Sequence, residues 1–290
     1  MKKIALISDV HGNYTALKYT IADAKKQGTS EFWFLGDLLM PGPGTNTIFD
    51  LLNSVNTTYK IRGNWDDFLF EDILAISKQY INEPQTTYIV ELLKYVFNHL
   101  KPQYLNQMNH WPIAATTSIS DLNILMTHNT PTKNYGHELL PYEQQSNFDN
   151  LLFKEHPQTD IAIYGHTHHQ LLRTSSNGQL IINPGSIGQP YTPWKKFSAD
   201  RRAQYAILTF DDTGDDTGYG GIDFRKVTYP IKDELNLATT AKLPFIELYE
   251  KIFTDGKAFT HNDAELNDQI QKYNYKSDVL KYLQKLSRFE

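Results

Sequence analysis

The 290-residue chain contains no cysteine. Disulfide staples, thiolate metal sites and cysteine nucleophiles are therefore excluded together. Long apolar runs are equally absent. The N-terminal "MKKIALISDV" opens with two lysines, as a signal peptide does, but its apolar run from Ile4 to Ile7 stops at Asp9, too short for a signal core. No later stretch approaches the roughly 20 apolar residues of a membrane span, so a cytoplasmic location without a membrane partner is expected. Positive charge is scarce: 28 Lys and Arg against 33 Asp and Glu leave a net charge of −5. That argues against a surface built to wrap nucleic-acid polymer, while leaving small nucleotides open if metal ions hold them. No Walker-type glycine loop occurs. Ser186, in "PGSIG", lacks the glycine two residues earlier that a nucleophile elbow requires. The rest is ordinary globular material, 40% apolar and 21% charged, with 13% aromatics available for packing and stacking.

Hydrophobic periodicity orders this material. "KKIALIS" (2–8) reads as a buried strand. The following "NYTALKYTIADAKKQG" (13–28) reads as a helix, with Tyr14, Leu17, Ile21 and Ala24 on one face and Gly28 as its stop. Strand 31–37, helix 45–55 and strand 57–64 complete a βαβαβ unit, which implies a parallel sheet. Residues 66–108 interrupt the alternation with a helical insertion, most clearly at 85–100. Strands resume at 111–119, 122–128, 160–166, 169–175, 179–185, 202–210 and 221–229. Asn177-Gly178 marks a hairpin, and a Gly/Asp-rich turn precedes the last strand. From residue 230 only helical spacing remains. The expected organisation is an α/β domain over 1–229 and a helical C-terminal appendage over 230–290.

Polar residues gather just beyond the strands. Strand one is followed by Asp9 and His11, strand two by Asp37, strand three by Asn64, strand 122–128 by His128, and strand 160–166 by His166 and His168. Each fragment alone fits an ordinary turn. Together they place oxygen and imidazole ligands at five strand ends, where open α/β sheets collect their ligands. Carboxylate, carboxamide and imidazole without thiolate suit Mn²⁺, Fe, Zn²⁺ or Co²⁺, and the ligand set does not choose among them; two such divalent ions are expected, with Mn²⁺ taken first.

The ordered set "DVH", "GD", "GN", "TH" and "GHTH", spread over residues 9–168, resembles the calcineurin-like metallophosphoesterase family. "NPGSIGQP" and "YAILTF" are similar to its small bacterial phosphodiesterase branch. The resemblance implies a two-layered β-sandwich flanked by helices and a pair of metal ions. It assigns Asp9, His11 and His168 to one ion, Asn64, His128 and His166 to the other, and Asp37 as a bridge. Asp37, Asn64 and His128 then stand at the catalytic centre, and water attacks phosphorus without a phosphoenzyme. "LGDLLMPGPG", "RGNWDD" and "YGHTHHQLLR" further resemble a bacterial group that cleaves diadenosine tetraphosphate asymmetrically, to AMP and ATP. The alternatives are another small phosphoester as substrate, or a non-catalytic scaffold on the same fold.

One departure is informative. Many family members carry histidine where this chain has Trp65, and an indole performs no acid–base step. A leaving group that is already a stable anion, such as a nucleotide phosphate, is therefore expected over an alkoxide. Trp65 also offers a face for a base, and Asn129 and His137 follow His128 closely enough to touch substrate phosphate. His169 has no assigned partner. Arg62 is expected in a salt bridge and Arg201 and Arg202 as structural residues; for the insertion and the tail two roles stay open, a lid shaping a nucleotide pocket or a purely structural one.

Overall fold

A computed structural model describes residues 1–192, 194–211 and 218–287. Most of the Gly/Asp-rich turn, residues 212–217, lies outside them. Strands β1 (Lys2–Ile7), β2 (Glu31–Phe34) and β3 (Thr57–Lys60) alternate with helices α1 (Tyr14–Lys26) and α2 (Asn46–Asn53) and pair in parallel, as the βαβαβ pattern requires. The insertion comprises α3 (Asn64–Asp67), α4 (Ile73–Tyr80), α5 (Pro84–His99) and α6 (Pro102–Asn109). Only α5 is long enough to display a full apolar stripe in sequence. Then come β4 (Ala114–Ile119), β5 (Leu122–Thr127), the short α7 (Gln145–Phe148) continued by a π-type turn, β6 (Ile161–Tyr164), β7 (Gln170–Thr174) and β8 (Leu180–Pro184). β9 (Ala203–Phe210), β10 (Tyr219–Val227) and the helices α8 (Ile231–Thr240), α9 (Ile246–Asp255), α10 (Asp263–Tyr273) and α11 (Tyr275–Leu286) follow.

The strands form two sheets, ordered β10-β9-β1-β2-β3 and β4-β5-β6-β8-β7. The expected hairpin joins antiparallel β7 and β8, with Gly178 at φ +89° in its turn. Alternation along the strands creates three apolar layers. Ile4 and Leu6 of β1, Ala206 and Leu208 of β9, and Ile161 and Ile163 of β6 share the cluster between the sheets. Ala5 and Ile7 belong to the helical layer behind the first sheet, and Ala162 and Tyr164 to the layer outside the second. Central strands buried on both faces explain their unbroken apolar runs. At roughly 1.5–3 kcal/mol per buried large side chain, these layers dominate the stability and hold the strand ends rigid.

The C-terminal helices join the same interior. Tyr88 of α5 meets Phe245 edge-on with ring centroids 4.9 Å apart, and Leu92, Leu248 and Leu266 belong to that cluster. The buried Glu234 of α8 accepts from the Thr15 backbone N–H (2.8 Å) in the first turn of α1 and from the Tyr249 hydroxyl (3.0 Å). No described helix is long and apolar enough to cross a membrane.

Candidate metal centre

β1, β2 and β3 run parallel in one sheet, and β5 and β6 run parallel in the other. Their carboxyl ends bring the ligand loops together across the sandwich. Those loops are stitched by their own backbones: Asp9 N–H donates to Gly36 O (2.9 Å), His11 N–H to Asp37 O (3.0 Å), Gly165 N–H to His128 O (2.8 Å) and Gly188 N–H to Asp9 O (2.9 Å). Ser186 is part of this stitching, its hydroxyl donating to Asp9 O and accepting from Gln189 N–H, both at 2.8 Å.

The stitching holds an unusual backbone. Asp9, His11, Asp37, His166 and His168 all have left-handed φ values, between 51° and 62°. A non-glycine residue there costs roughly 1–2 kcal/mol, so this conformation persists only because the surrounding bonds over-determine it. Two glycines permit the close approach of the loops. A Cβ on Gly63 would stand 2.1 Å from Asp37 Oδ1, and one on Gly36 2.5 Å from His128 Nδ1. The "GD" and "GN" fragments are thus packing requirements as well as turns.

With the rings neutral, as metal binding requires, the donor atoms face one another without protons to share. His11 Nδ1 donates to Met40 O (2.8 Å), His168 Nδ1 to Gln189 O (2.7 Å) and His128 Nδ1 to Leu35 O (2.7 Å). A carbonyl only accepts, so each neutral ring presents a bare Nε2 lone pair. His11 Nε2 and His168 Nε2 lie 3.1 Å apart, and His128 Nε2 lies 3.1 Å from Asn64 Oδ1. His166 is turned the other way: its Nε2 donates to Gly136 O (2.8 Å), which leaves Nδ1 free. Asp37 Oδ2 stands 3.4 Å from His128 Nε2 and 3.6 Å from His11 Nε2. Asp9 Oδ1 is buried without a hydrogen-bond partner. Acceptors facing acceptors in a buried cluster need a cation between them. The donor atoms of Asp9, His11 and His168, and those of Asp9, Asp37 and His128, each fall within 4.8 Å of one another. Nitrogen and oxygen donors at this spacing fit divalent transition ions.

Electrostatics give the same answer. Burial opposes ionisation of Asp9 and Asp37, yet neighbouring imidazoles (His168 foremost for Asp9, His128 for Asp37) hold both carboxyls below the ordinary range. Burial also disfavours a proton on His128, but the charges of Asp37 and Asp9 and the bonds to Asp37 and Leu35 O push it up to about 10. His168 is likewise raised, by Asp9 against its burial. His11 is lowered by burial, and His166 is lowered to about 4 by burial and the His128 charge. Without metal, the carboxylates therefore favour a proton on His128 and, in the same direction, on His168, charge that metal cations would otherwise supply.

The other expected residues separate. Trp65 is half-buried, its ring edge-on to His11 at 5.6 Å and to Phe68 at 5.8 Å, while its backbone N–H donates to Asp37 Oδ1 (2.8 Å). Asn129 is fully buried, with Nδ2 donating to Tyr135 O (2.7 Å), so it shapes the loop. His169 Nδ1 donates to Thr167 O (2.5 Å) and its ring meets Tyr191. Arg62 lies beyond β3 and pairs with Asp67 at 2.6 Å, its N–H unaligned for a hydrogen bond. Sequence reasoning missed Asp66. Fully buried, it accepts from the backbone N–H groups of Asp37 (2.9 Å), Leu38 (3.0 Å) and Gly63 (2.9 Å). Its signal was an acidic residue three positions after a glycine at a helix start. Burial, then the Asp37 charge, push it up to about 7.

A cavity of about 460 Å³ opens beside His166 and His168. His137, Tyr142 and Tyr191 line one side, and Phe253 and Lys257, from the end of α9 and beyond it, line another. The tail thus contributes part of the cavity lining. No residue of the 66–108 insertion lines this cavity; the insertion instead supports the tail through α5, on which α10 and α11 pack. Arg201, expected to be structural, also lines the cavity, whereas Arg202 pairs with Asp200 at 2.8 Å as expected.

Comparison with known proteins agrees with this geometry. The calcineurin-like phosphoesterase superfamily domain matches residues 1–213. An uncharacterised protein of Methanocaldococcus jannaschii is 25% identical over 255 residues, covering 83% of this chain and 93% of its own. A hypothetical protein from Pyrococcus horikoshii has the same fold, with a TM-score of 0.68 at 20% identity over 87% of this chain and 98% of that one. So has a metallophosphoesterase from Sphaerobacter thermophilus, with a TM-score of 0.63 at 23% identity over 88% and 100%. With the family match spanning most of its length, the chain belongs to the calcineurin-like phosphoesterase superfamily and is a metal-dependent phosphoesterase.

Proposed function

We propose that the protein hydrolyses phosphoanhydride bonds of dinucleoside polyphosphates, diadenosine tetraphosphate among them, releasing AMP and ATP. In this reading Asp9, His11 and His168 hold one ion, Asn64, His128 and His166 the other, and Asp37 is shared. Two divalent ions held there, Mn²⁺ foremost, would supply Lewis acidity toward phosphoryl oxygens and toward water at neutral pH. The chain's own contribution is orientation. Carbonyl acceptors fix the histidine tautomers, and the backbone bonds hold Asp9 and Asp37 in their strained conformations. Trp65 beside His11 provides no proton for a leaving oxygen, which favours a leaving group that departs as an anion.

The observation that carries the nucleotide reading is the cavity beside His166 and His168, with Tyr142, Tyr191 and Phe253 offering ring surfaces for a base. His137 lies on the same wall and is assigned to substrate; Trp65 and Asn129 then act by shaping the site. Mn²⁺-loaded protein incubated with diadenosine tetraphosphate should yield AMP and ATP on chromatography. Two ADP would overturn the asymmetric assignment. No cleavage, alongside turnover of an aryl phosphodiester, would replace the dinucleotide by another small phosphoester.

A further inference from the structure

The cavity is lined by a cation that has no carboxylate partner among the described residues. Arg201 lies just ahead of β9, and its Nε donates to Phe253 O (3.1 Å) in the last turn of α9. The guanidinium lies flat on Gly256, where a Cβ would stand 1.8 Å from Nη2 and 2.4 Å from Nη1. Gly256 ends α9 at φ +70°. The missing side chain of Gly256 therefore leaves the space that the guanidinium occupies. Among the described residues no carboxylate pairs with Arg201. The adjacent Asp200 is taken by Arg202 at 2.8 Å and Lys226 at 3.1 Å. Glu and Asp are absent from the described lining of the cavity, whereas Arg201 and Lys257 are both present. In a chain of net charge −5 this is a local excess of positive charge. A planar guanidinium with free Nη groups is suited to bidentate recognition of phosphate oxygens.

We propose that Arg201, seated on Gly256 and assisted by Lys257, is a specificity-determining residue that receives the phosphates of the substrate beyond the one attacked. It selects substrates in which a chain of phosphates, and not a single phosphoester, extends from the metal centre into the cavity. The inference rests on the phosphoesterase reading of that centre. It gives the C-terminal segment a chemical task, because Phe253 O and Gly256 are the platform that orients the guanidinium.

The test uses full-length Mn²⁺-loaded protein with an aryl phosphodiester as reporter and AMP, ADP and ATP as inhibitors, free Mn²⁺ being held constant. In the unaltered protein inhibition should tighten with each added phosphate. In Arg201→Ala the inhibition constant for ATP should weaken by about tenfold or more, the loss expected for charge-assisted hydrogen bonds, and that for AMP much less. Arg201→Lys, which keeps charge but not the fork, should retain part of the gradient. Equal weakening of AMP and ATP would reduce Arg201 to a structural brace and overturn the inference, as would inhibition independent of phosphate number in the unaltered protein. If Arg201→Ala shows a lowered Tm, Arg201→Lys and the exposed Lys257→Ala carry the test, and an unchanged ATP-to-AMP ratio in both overturns it. Failure to cleave diadenosine tetraphosphate would refute the proposed substrate while leaving this ratio readable.

Discussion

Asp66 offers the most quantitative test of how the metal centre is held. Its carboxylate accepts three backbone N–H groups, and two of them belong to Asp37 and Gly63, on the loops that carry Asp37 and Asn64. Oδ2 serves Asp37 and Gly63, while Oδ1 serves Leu38. In Asp66→Asn the amide oxygen can replace Oδ2, but the NH₂ group must then face the Leu38 N–H. One buried donor left without an acceptor costs about 1–3 kcal/mol. Asp66→Ala strands all three, for a loss of roughly 3 kcal/mol or more, against the 5–15 kcal/mol of total stability of a typical domain. Urea denaturation of the metal-depleted proteins at pH 8 should show this order, wild type above Asn above Ala. The gap between wild type and Asn should widen at pH 5. There folded Asp66, held up to about 7 against an ordinary 3.8, takes up a proton on folding that the amide cannot, so wild type gains stability as pH falls below 7. Both variants should also bind Mn²⁺ more weakly, because the Asp37 N–H loses the bond that helps fix its left-handed backbone. Variants within about 0.5 kcal/mol of wild type, the usual range of surface substitutions, would refute the assignment of Asp66 as the anchor of these loops.

Two further outcomes follow from the same geometry. Asp37→Asn removes charge from the oxygen standing between His11 and His128. It should lower the bound-metal stoichiometry and cut turnover by more than about 100-fold, beyond the usual effect of residues that merely support a ligand; near-normal activity would contradict sharing of Asp37. The second concerns pH. His128 has its folded value raised to about 10 from an ordinary 6.5, so the stability its proton confers is fully present below pH 6.5 and is lost as pH rises toward 10. The Tm of metal-free protein should therefore fall across that window and flatten when Mn²⁺ replaces the proton. Equal slopes with and without metal would show that the two do not compete for His128.

Much of the fold could be read in the sequence because its signals are local. Two-sided burial leaves unbroken apolar runs in β1, β6 and β9, the helical period marks α1 and α5, and Asn177-Gly178 announces the β7–β8 hairpin. The short helices α3, α4 and α6 escaped because four to eight residues carry too few turns to display a period. The polar residues following successive strands were legible for the same reason. Parallel strands share a polarity, so residues just past their ends must meet at one rim.

Tertiary structure alone decided the rest. It divides the strands between two sheets, so that the ligands converge across a sandwich. It selects Nε2 of His11, His128 and His168 but frees Nδ1 of His166, through carbonyls distant in sequence. It buries Asn129, whose Nδ2 donates to Tyr135 O, and brings Arg201 onto Gly256, 55 positions further along the chain. Residue type and spacing limit which atoms can act as ligands. The direction in which each atom points depends on hydrogen bonds closed between remote segments, and those exist only once the apolar layers have packed.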